Sequence, residues 1–172
     1  PAPTITPDEI TEEMLSKYQC IYIEGYLLVN EPLVRSTMEK AKKLGLKVAL
    51  DLSNFNIVNA FKGMLEDIIP KYVDILFSNE SEAEAFTGQK AAEAVHTLSE
   101  LVEVSLVTLG KEGALIGSHG QFYSVPAEGG KPVDTTGAGD NFAAGFLYGQ
   151  SIGASLVQSA RIGSMLAGYV ID

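Results

Sequence analysis

Only one cysteine, Cys20, stands among 172 residues, so no internal disulfide can form and the thiol chemistry fits a reducing compartment such as the cytoplasm. No stretch approaches the roughly 20 uninterrupted apolar residues of a membrane-spanning helix, and Pro1 to Glu13 hold no basic start followed by an apolar run. Neither a membrane span nor a signal peptide is expected. Positive charge is also scarce: 12 Lys and Arg against 22 Asp and Glu leave a net charge of -10, which repels a phosphate backbone. Nucleic acid is therefore not an expected partner.

Glycine and charge are each scarce in one part of the chain. Of 17 glycines only Gly25, Gly45, Gly63 and Gly88 precede residue 110, so backbone-critical turns concentrate in the final third. From Pro132 onward the only charged residues are Asp134, Asp140, Arg161 and Asp172, which suits helices buried on most sides. Two aspartates in such a segment need a reason.

What remains is ordinary globular composition, 46% hydrophobic and 20% charged, and its periodicity predicts alternating helices and strands. Thr6-Pro7-Asp8-Glu9 has the form of a helix cap, with a helix to about Tyr18. Cys20 to Glu24 reads as a strand. Three helix-strand pairs follow: Glu31 to Leu44 before Leu46 to Leu52; Ile57, Phe61, Leu65 and Ile68 before Val73 to Phe77; and Ala91, Val95, Leu98 and Val102 before Ser105 to Thr108. Such repetition favours a parallel sheet with right-handed crossovers. Gly113 to Ser118 and Gln121 to Pro126 resemble a hairpin, an antiparallel addition at one side.

Ligands of parallel sheets sit beyond the carboxyl ends of the strands. Four such positions stand out: Asp51 to Asn54, Ser78 to Glu82, Thr108 to Gly113, and Asp134 to Asp140. In the last, Gly137, Ala138 and Gly139 open an apolar helix containing Phe142 and Phe146, so small residues bare consecutive backbone amides at a helix N-terminus. Those amides and the helix dipole suit a phosphate, and Asp140 in the first turn could take the proton of a hydroxyl nucleophile. The arrangement predicts phosphoryl transfer, although an ordinary helix cap would give the same local pattern. A dinucleotide-binding G-x-G-x-x-G would need Gly or Ala where Phe142 stands, and no G-x-x-x-x-G-K-[ST] occurs.

The string Asp134-Thr135-Thr136-Gly137-Ala138-Gly139-Asp140-Asn141-Phe142 resembles, without a mismatch, the C-terminal signature of the PfkB/ribokinase family of carbohydrate and nucleoside kinases. The resemblance implies a three-layer α/β/α ribokinase-like fold and ATP-dependent phosphorylation of a primary hydroxyl. It casts Asp140 as catalytic base and the amides of Gly137, Ala138 and Gly139 as the anion hole. Asp134 and Thr136 lie where many members bind a monovalent cation such as K+. Asn79 and Glu82 match the family's N-x-x-E, which organises Mg²⁺ and phosphate through water, with Asn79 also on the nucleotide side; alone, the same residues would be a helix cap. Thr108-Leu109-Gly110-Lys111-Glu112-Gly113 resembles its T-x-G-x-x-G, making Thr108, Gly110, Lys111 and Gly113 nucleotide contacts. A hairpin start would also produce those glycines.

Other polar residues carry blander expectations. His96 and His119 lack a Cys or His partner at metal-ligand spacing, Cys20 reads as a small buried residue, and Asp51 as the cap of the turn that follows its strand. Family members are longer, with an N-terminal substrate and lid portion and a further C-terminal segment, so residues 1–172 read as one ATP-binding and catalytic portion, weakly active or inactive alone. The expected partners are ATP and a small sugar or nucleoside; Asp51-Leu52-Ser53 resembles the nucleoside-kinase side of the family, and a homodimer is allowed. A nucleotide-binding scaffold without catalysis is the alternative.

Overall fold

The computed structural model describes residues 4–129 and 137–171. Six strands form one sheet: β1 (Cys20–Glu24), β2 (Lys47–Asp51), β3 (Ile75–Asn79), β4 (Val104–Thr108), β5 (Ala114–Ser118) and β6 (Gln121–Val125), in that spatial order. The first four are parallel, and β5 and β6 continue antiparallel as the expected hairpin. The helices are α1 (Glu12–Leu15), α2 (Glu31–Lys43), α3 (Phe55–Ala60), α4 (Lys62–Tyr72), α5 (Glu80–Thr87), α6 (Ala91–Ser99), α7 (Ala138–Ser151) and α8 (Leu156–Ile171).

Side-chain alternation along the strands sorts the core into two layers. Val48 and Leu50 of β2, Leu76 of β3 and Val107 of β4 pack with residues of α2, α4, α5 and α6. Ala49, Ile75, Phe77 and Leu106 point the other way, toward Phe142, Ala143 and Phe146 of α7 and Ala160 of α8. Strands that follow one another in space through same-handed crossovers leave their helices on one face. The opposite face then depends on α7 and α8, and the result is the three-layer α/β/α arrangement.

Local chemistry moved several boundaries away from their sequence expectations. The helix read from Thr6 to Tyr18 is two pieces, a 3-10 turn at Pro7–Glu9 and α1. Glu9 accepts from the Thr6 amide at 2.7 Å, and Thr11 opens a second cap by accepting from the Met14 amide. The Lys40 ammonium binds the Pro7 and Ile10 carbonyls between them, which a continuous helix would have used internally. The single helix over Ile57 to Ile68 is divided at Phe61, whose φ of -115° leaves the helical region. The strand read at Val73 to Phe77 runs from Ile75 to Asn79, in register with Val104 to Thr108. That shift makes Asn79 at once the last strand residue and the cap of α5. Cys20 is half-buried, and His96 rests against the ring of Phe122. Among the described residues no helix is long and apolar enough to cross a membrane.

Backbone contact joins α7 to α8. A Cβ added at Gly145 would stand 2.7 Å from the Gly163 Cα, and one at Gly149 would meet Ser159 at 2.6 Å. Gly145→Val should therefore destabilise the protein by about 3 kcal/mol in urea unfolding, because neither backbone can withdraw without unseating its helix. Gly63→Ala, at an α4 position with nothing within 4 Å, should stabilise slightly, by about 0.5 kcal/mol.

Candidate active site

The four parallel strands end at one edge with Glu24, Asp51, Asn79 and Thr108. Above them the N-terminus of α7 closes a cleft of about 350 Å³, bordered by all four together with Ser53, Glu82, Gly139 and Asp140. A second cleft of about 320 Å³ shares Thr108, Gly139 and Phe142 with the first. Its walls are the Gly110 to Gly113 turn, the loop at Ala127 to Gly129, and Ala167 and Gly168 of α8. One compartment is acidic and the other mostly apolar, and the start of α7 stands at their junction.

That start is built from a glycine that must be glycine and another whose bareness the fold does not require. Gly137 caps α7 with a φ of 78°, left-handed backbone. Asn141 anchors it, donating both its amide and its side-chain Nδ2 to the Gly137 carbonyl at 3.0 and 2.8 Å. At Gly139 a Cβ would meet nothing within 4 Å, yet the residue borders both clefts, so its bareness leaves room for a ligand against the backbone. The amides of Ala138, Gly139 and Asp140 occupy the first turn, where helix geometry supplies no acceptor. Asp140 is exposed beside them.

Asn79 and Glu82 are spent mainly on each other. The Asn79 amide and Nδ2 donate to the two Glu82 carboxylate oxygens at 2.9 and 2.7 Å, and the Glu82 amide donates to Asn79 Oδ1 at 3.0 Å. The helix-cap expectation is met in full, and Glu82 is only 4% exposed. Among the described residues no three His, Cys, Asp or Glu side chains converge as a metal cage. A cation such as Mg²⁺, which keeps several waters, fits this donor set through its water shell.

Burial, opposed by the Asn79 amide and reinforced by the nearby Asp51 charge, pushes the Glu82 carboxyl up to about 7. Burial does the same to Asp51, pushed up to about 6. Its carboxylate accepts from the Ser53 amide at 2.6 Å and from the Tyr22 hydroxyl at 3.2 Å, both of which favour the ion, but Asp140 and Glu24 oppose it. Asp51 thus caps its turn, as expected, and also borders the cleft. Below lies an aromatic floor, with Tyr22 edge-on to Phe77 and Phe77 edge-on to Phe146 of α7.

Every sequence-chosen residue that is described borders one compartment or the other. Asn79, Glu82, Gly137 and Asp140 face the acidic one; Gly110, Lys111, Gly113 and Ala138 face the apolar one; Thr108 and Gly139 face both. Gly113 also has a reason within the fold, since a Cβ there would overlap the Val125 carbonyl at 1.9 Å. The cation pair Asp134 and Thr136 lies outside the described residues. Glu24, Tyr22 and Tyr26 escaped the sequence reading, although the strand-end rule, extended to the first strand, reaches Glu24. Ser164, which accepts from the Glu128 amide and donates to the Pro126 carbonyl at 2.9 Å each, has no local sequence signal.

The chain belongs to the pfkB family of carbohydrate kinases, whose profile matches residues 3–172. It is 31% identical over 184 residues to an adenosine kinase of Saccharomyces cerevisiae, covering 97% of this chain and 54% of the relative. A probable sugar kinase from Rhizobium etli superimposes with a TM-score of 0.93 at 30% identity, over 98% of this chain and 53% of that one. The ribokinase of Thermotoga maritima does so at 0.78 and 26%, over 99% and 56%. The chain thus spans about half the length of these relatives.

The raised Asp51 carboxyl has a measurable consequence. A folded-state value of about 6 against an ordinary 3.8 means its contribution to stability is full below about pH 4 and is lost as pH rises through 6. Asp51→Asn removes the titration, so in urea unfolding the stability of the variant relative to the parent should rise by about 2 kcal/mol between pH 4 and pH 8. A difference that stays constant across that range would contradict the burial of this charge.

Proposed function

We propose that the chain carries the ATP-binding and catalytic centre of an ATP-dependent kinase acting on a primary hydroxyl of a sugar or nucleoside. One observation supports this most: the bare helix start Gly137 to Asp140 stands where the apolar and acidic compartments meet, above the ends of four parallel strands. The apolar compartment takes the nucleotide, with Ala127, Ala167 and Gly168 against the base and Thr108, Gly110 and Lys111 toward the phosphates. The γ-phosphate then lies at Gly139, and the acceptor hydroxyl comes from the acidic side.

Asp140 takes the proton as the hydroxyl oxygen attacks the γ-phosphorus, and the bond to the bridging oxygen of ADP breaks. Charge gathers on the transferred oxygens, and the first-turn amides stabilise it with no reorganisation because the helix already aims them. A magnesium ion held through water near Asn79 and Glu82 would neutralise charge on the phosphates. A dication beside Glu82 would stabilise its charged form and draw the raised carboxyl back down, releasing a proton as it binds. Asp134 and Thr136 remain the proposed holders of a monovalent cation.

Asp140→Asn preserves shape and removes the base. In the protein expressed from its complete reading frame, with saturating acceptor, ATP and Mg²⁺, kcat should fall about 1,000-fold while calorimetric ATP affinity stays within twofold. Turnover near that of the parent would remove Asp140 from the mechanism.

A further inference from the structure

Asn141 completes the first turn of α7, and no role above uses its side chain. Asparagine is a poor choice inside a helix, because its amide competes for backbone groups and costs stability against alanine. Here that competition has a single target. The Gly137 carbonyl already accepts from the Asn141 backbone amide at 3.0 Å, the bond that starts the helix, and the side-chain Nδ2 joins it at 2.8 Å. A carbonyl oxygen only accepts, so the half-buried side chain presents its donor end. One bond would satisfy the carbonyl; the second holds it in place.

What is held is a whole peptide plane. The Gly137 carbonyl and the Ala138 N–H belong to one rigid trans unit and point in opposite directions. A carbonyl pinned toward the helix therefore keeps that N–H aimed out of the first turn, between the two clefts that Gly137 and Ala138 border. This plane is the least constrained of those at the helix start. Gly137 stands at a φ of 78°, and a residue without a Cβ permits the other backbone torsions that a rotated plane requires. The next two planes, Ala138 to Gly139 and Gly139 to Asp140, lie within α7 and are fixed by the helix itself. Rotated by half a turn, the first plane would present an oxygen where the donor had stood, and would repel negative charge gathering there.

Resting on phosphoryl transfer at the start of α7 as proposed above, we infer that Asn141 is a positioning residue: its Nδ2 locks the Gly137 to Ala138 peptide plane so that the Ala138 amide stays aimed at the transferred phosphoryl oxygens. Asn141 itself touches neither substrate. Its contribution grows with the charge on those oxygens, so it lowers the barrier more than it tightens ATP, and its loss falls on kcat.

Three variants of the protein expressed from its complete reading frame separate the donor from its bulk. A serine hydroxyl inside a helix can bond the carbonyl four residues back, alanine and leucine cannot, and leucine keeps the size of asparagine. With ATP, Mg²⁺ and the best acceptor from ribose, fructose, adenosine and cytidine all saturating, Asn141→Ala and Asn141→Leu should each lower kcat about tenfold. That factor corresponds to about 1.4 kcal/mol, within the range of one hydrogen bond. The KM of ATP should stay within twofold, and Asn141→Ser should remain within about threefold of the parent in kcat. ADP with aluminium fluoride, which mimics the phosphoryl group in transfer, should bind Asn141→Ala about tenfold more weakly in calorimetry, while ADP alone binds as in the parent. Serine and alanine differ by one hydroxyl, so a folding defect common to both cannot produce this order. Asn141→Ala within twofold of the parent in kcat, Asn141→Ser as slow as Asn141→Ala, or a loss carried by the KM of ATP overturns the inference and leaves phosphoryl transfer standing. Absence of ATP turnover by the parent with all four acceptors overturns phosphoryl transfer itself, and the inference with it.

Discussion

The seating of α7 on the sheet is the constraint from which the site follows. Phe142 and Phe146 are buried against Phe77 and Leu106, while Gly145 and Gly149 bring α8 to backbone contact on the same helix. Once those contacts are made, the helix can begin only above the ends of the parallel strands, and Gly137 to Asp140 are fixed there. Neither helix could be replaced by a bulkier one without lifting the start of α7 off its floor. The low charge of this region is therefore a packing requirement first, and its aspartate the exception that faces the cleft.

A second tension runs through the acidic compartment. Four carboxylates share it, and burial, reinforced by the neighbouring negative charges, drives two of them toward neutrality. A site meant only for structure would relieve that strain with a cationic side chain, and none lines the compartment among the described residues. The Asn79 and Glu82 pair shows how the fold tolerates the arrangement, since each group satisfies the other while capping α5. Under the proposed function the cap also serves the hydrated cation, because a carboxylate held by backbone donors is one already held in place.

Much of this was legible in the sequence because it is local. Gly137 to Asp140 before an apolar helix, Asn79 three residues before Glu82, and apolar runs spaced for a parallel sheet all announce themselves within a few residues. What stayed hidden depends on partners far along the chain. Gly113 is required by the carbonyl of Val125, Gly25 by Leu52, and Ser164 by the loop at Pro126 to Glu128; no window around any of them contains its partner. The N-terminal helix failed for a related reason, since Lys40, some thirty residues away, binds the carbonyls that interrupt it. Glu24 escaped although its strand was read from Cys20 to Glu24, because that strand is only half-buried and lacks the apolar run that marks the strand before Asp51.

The division of the site into a nucleotide side and an acceptor side, joined at Gly139, is tested most directly by a crystal structure with magnesium and a non-hydrolysable ATP analogue. The base should lie between the Gly110 to Gly113 turn and α8, and the terminal phosphate against the first-turn amides of α7, within reach of Asp140. A triphosphate lodged among Glu24, Asp51 and Glu82, or bound away from the start of α7, would contradict it.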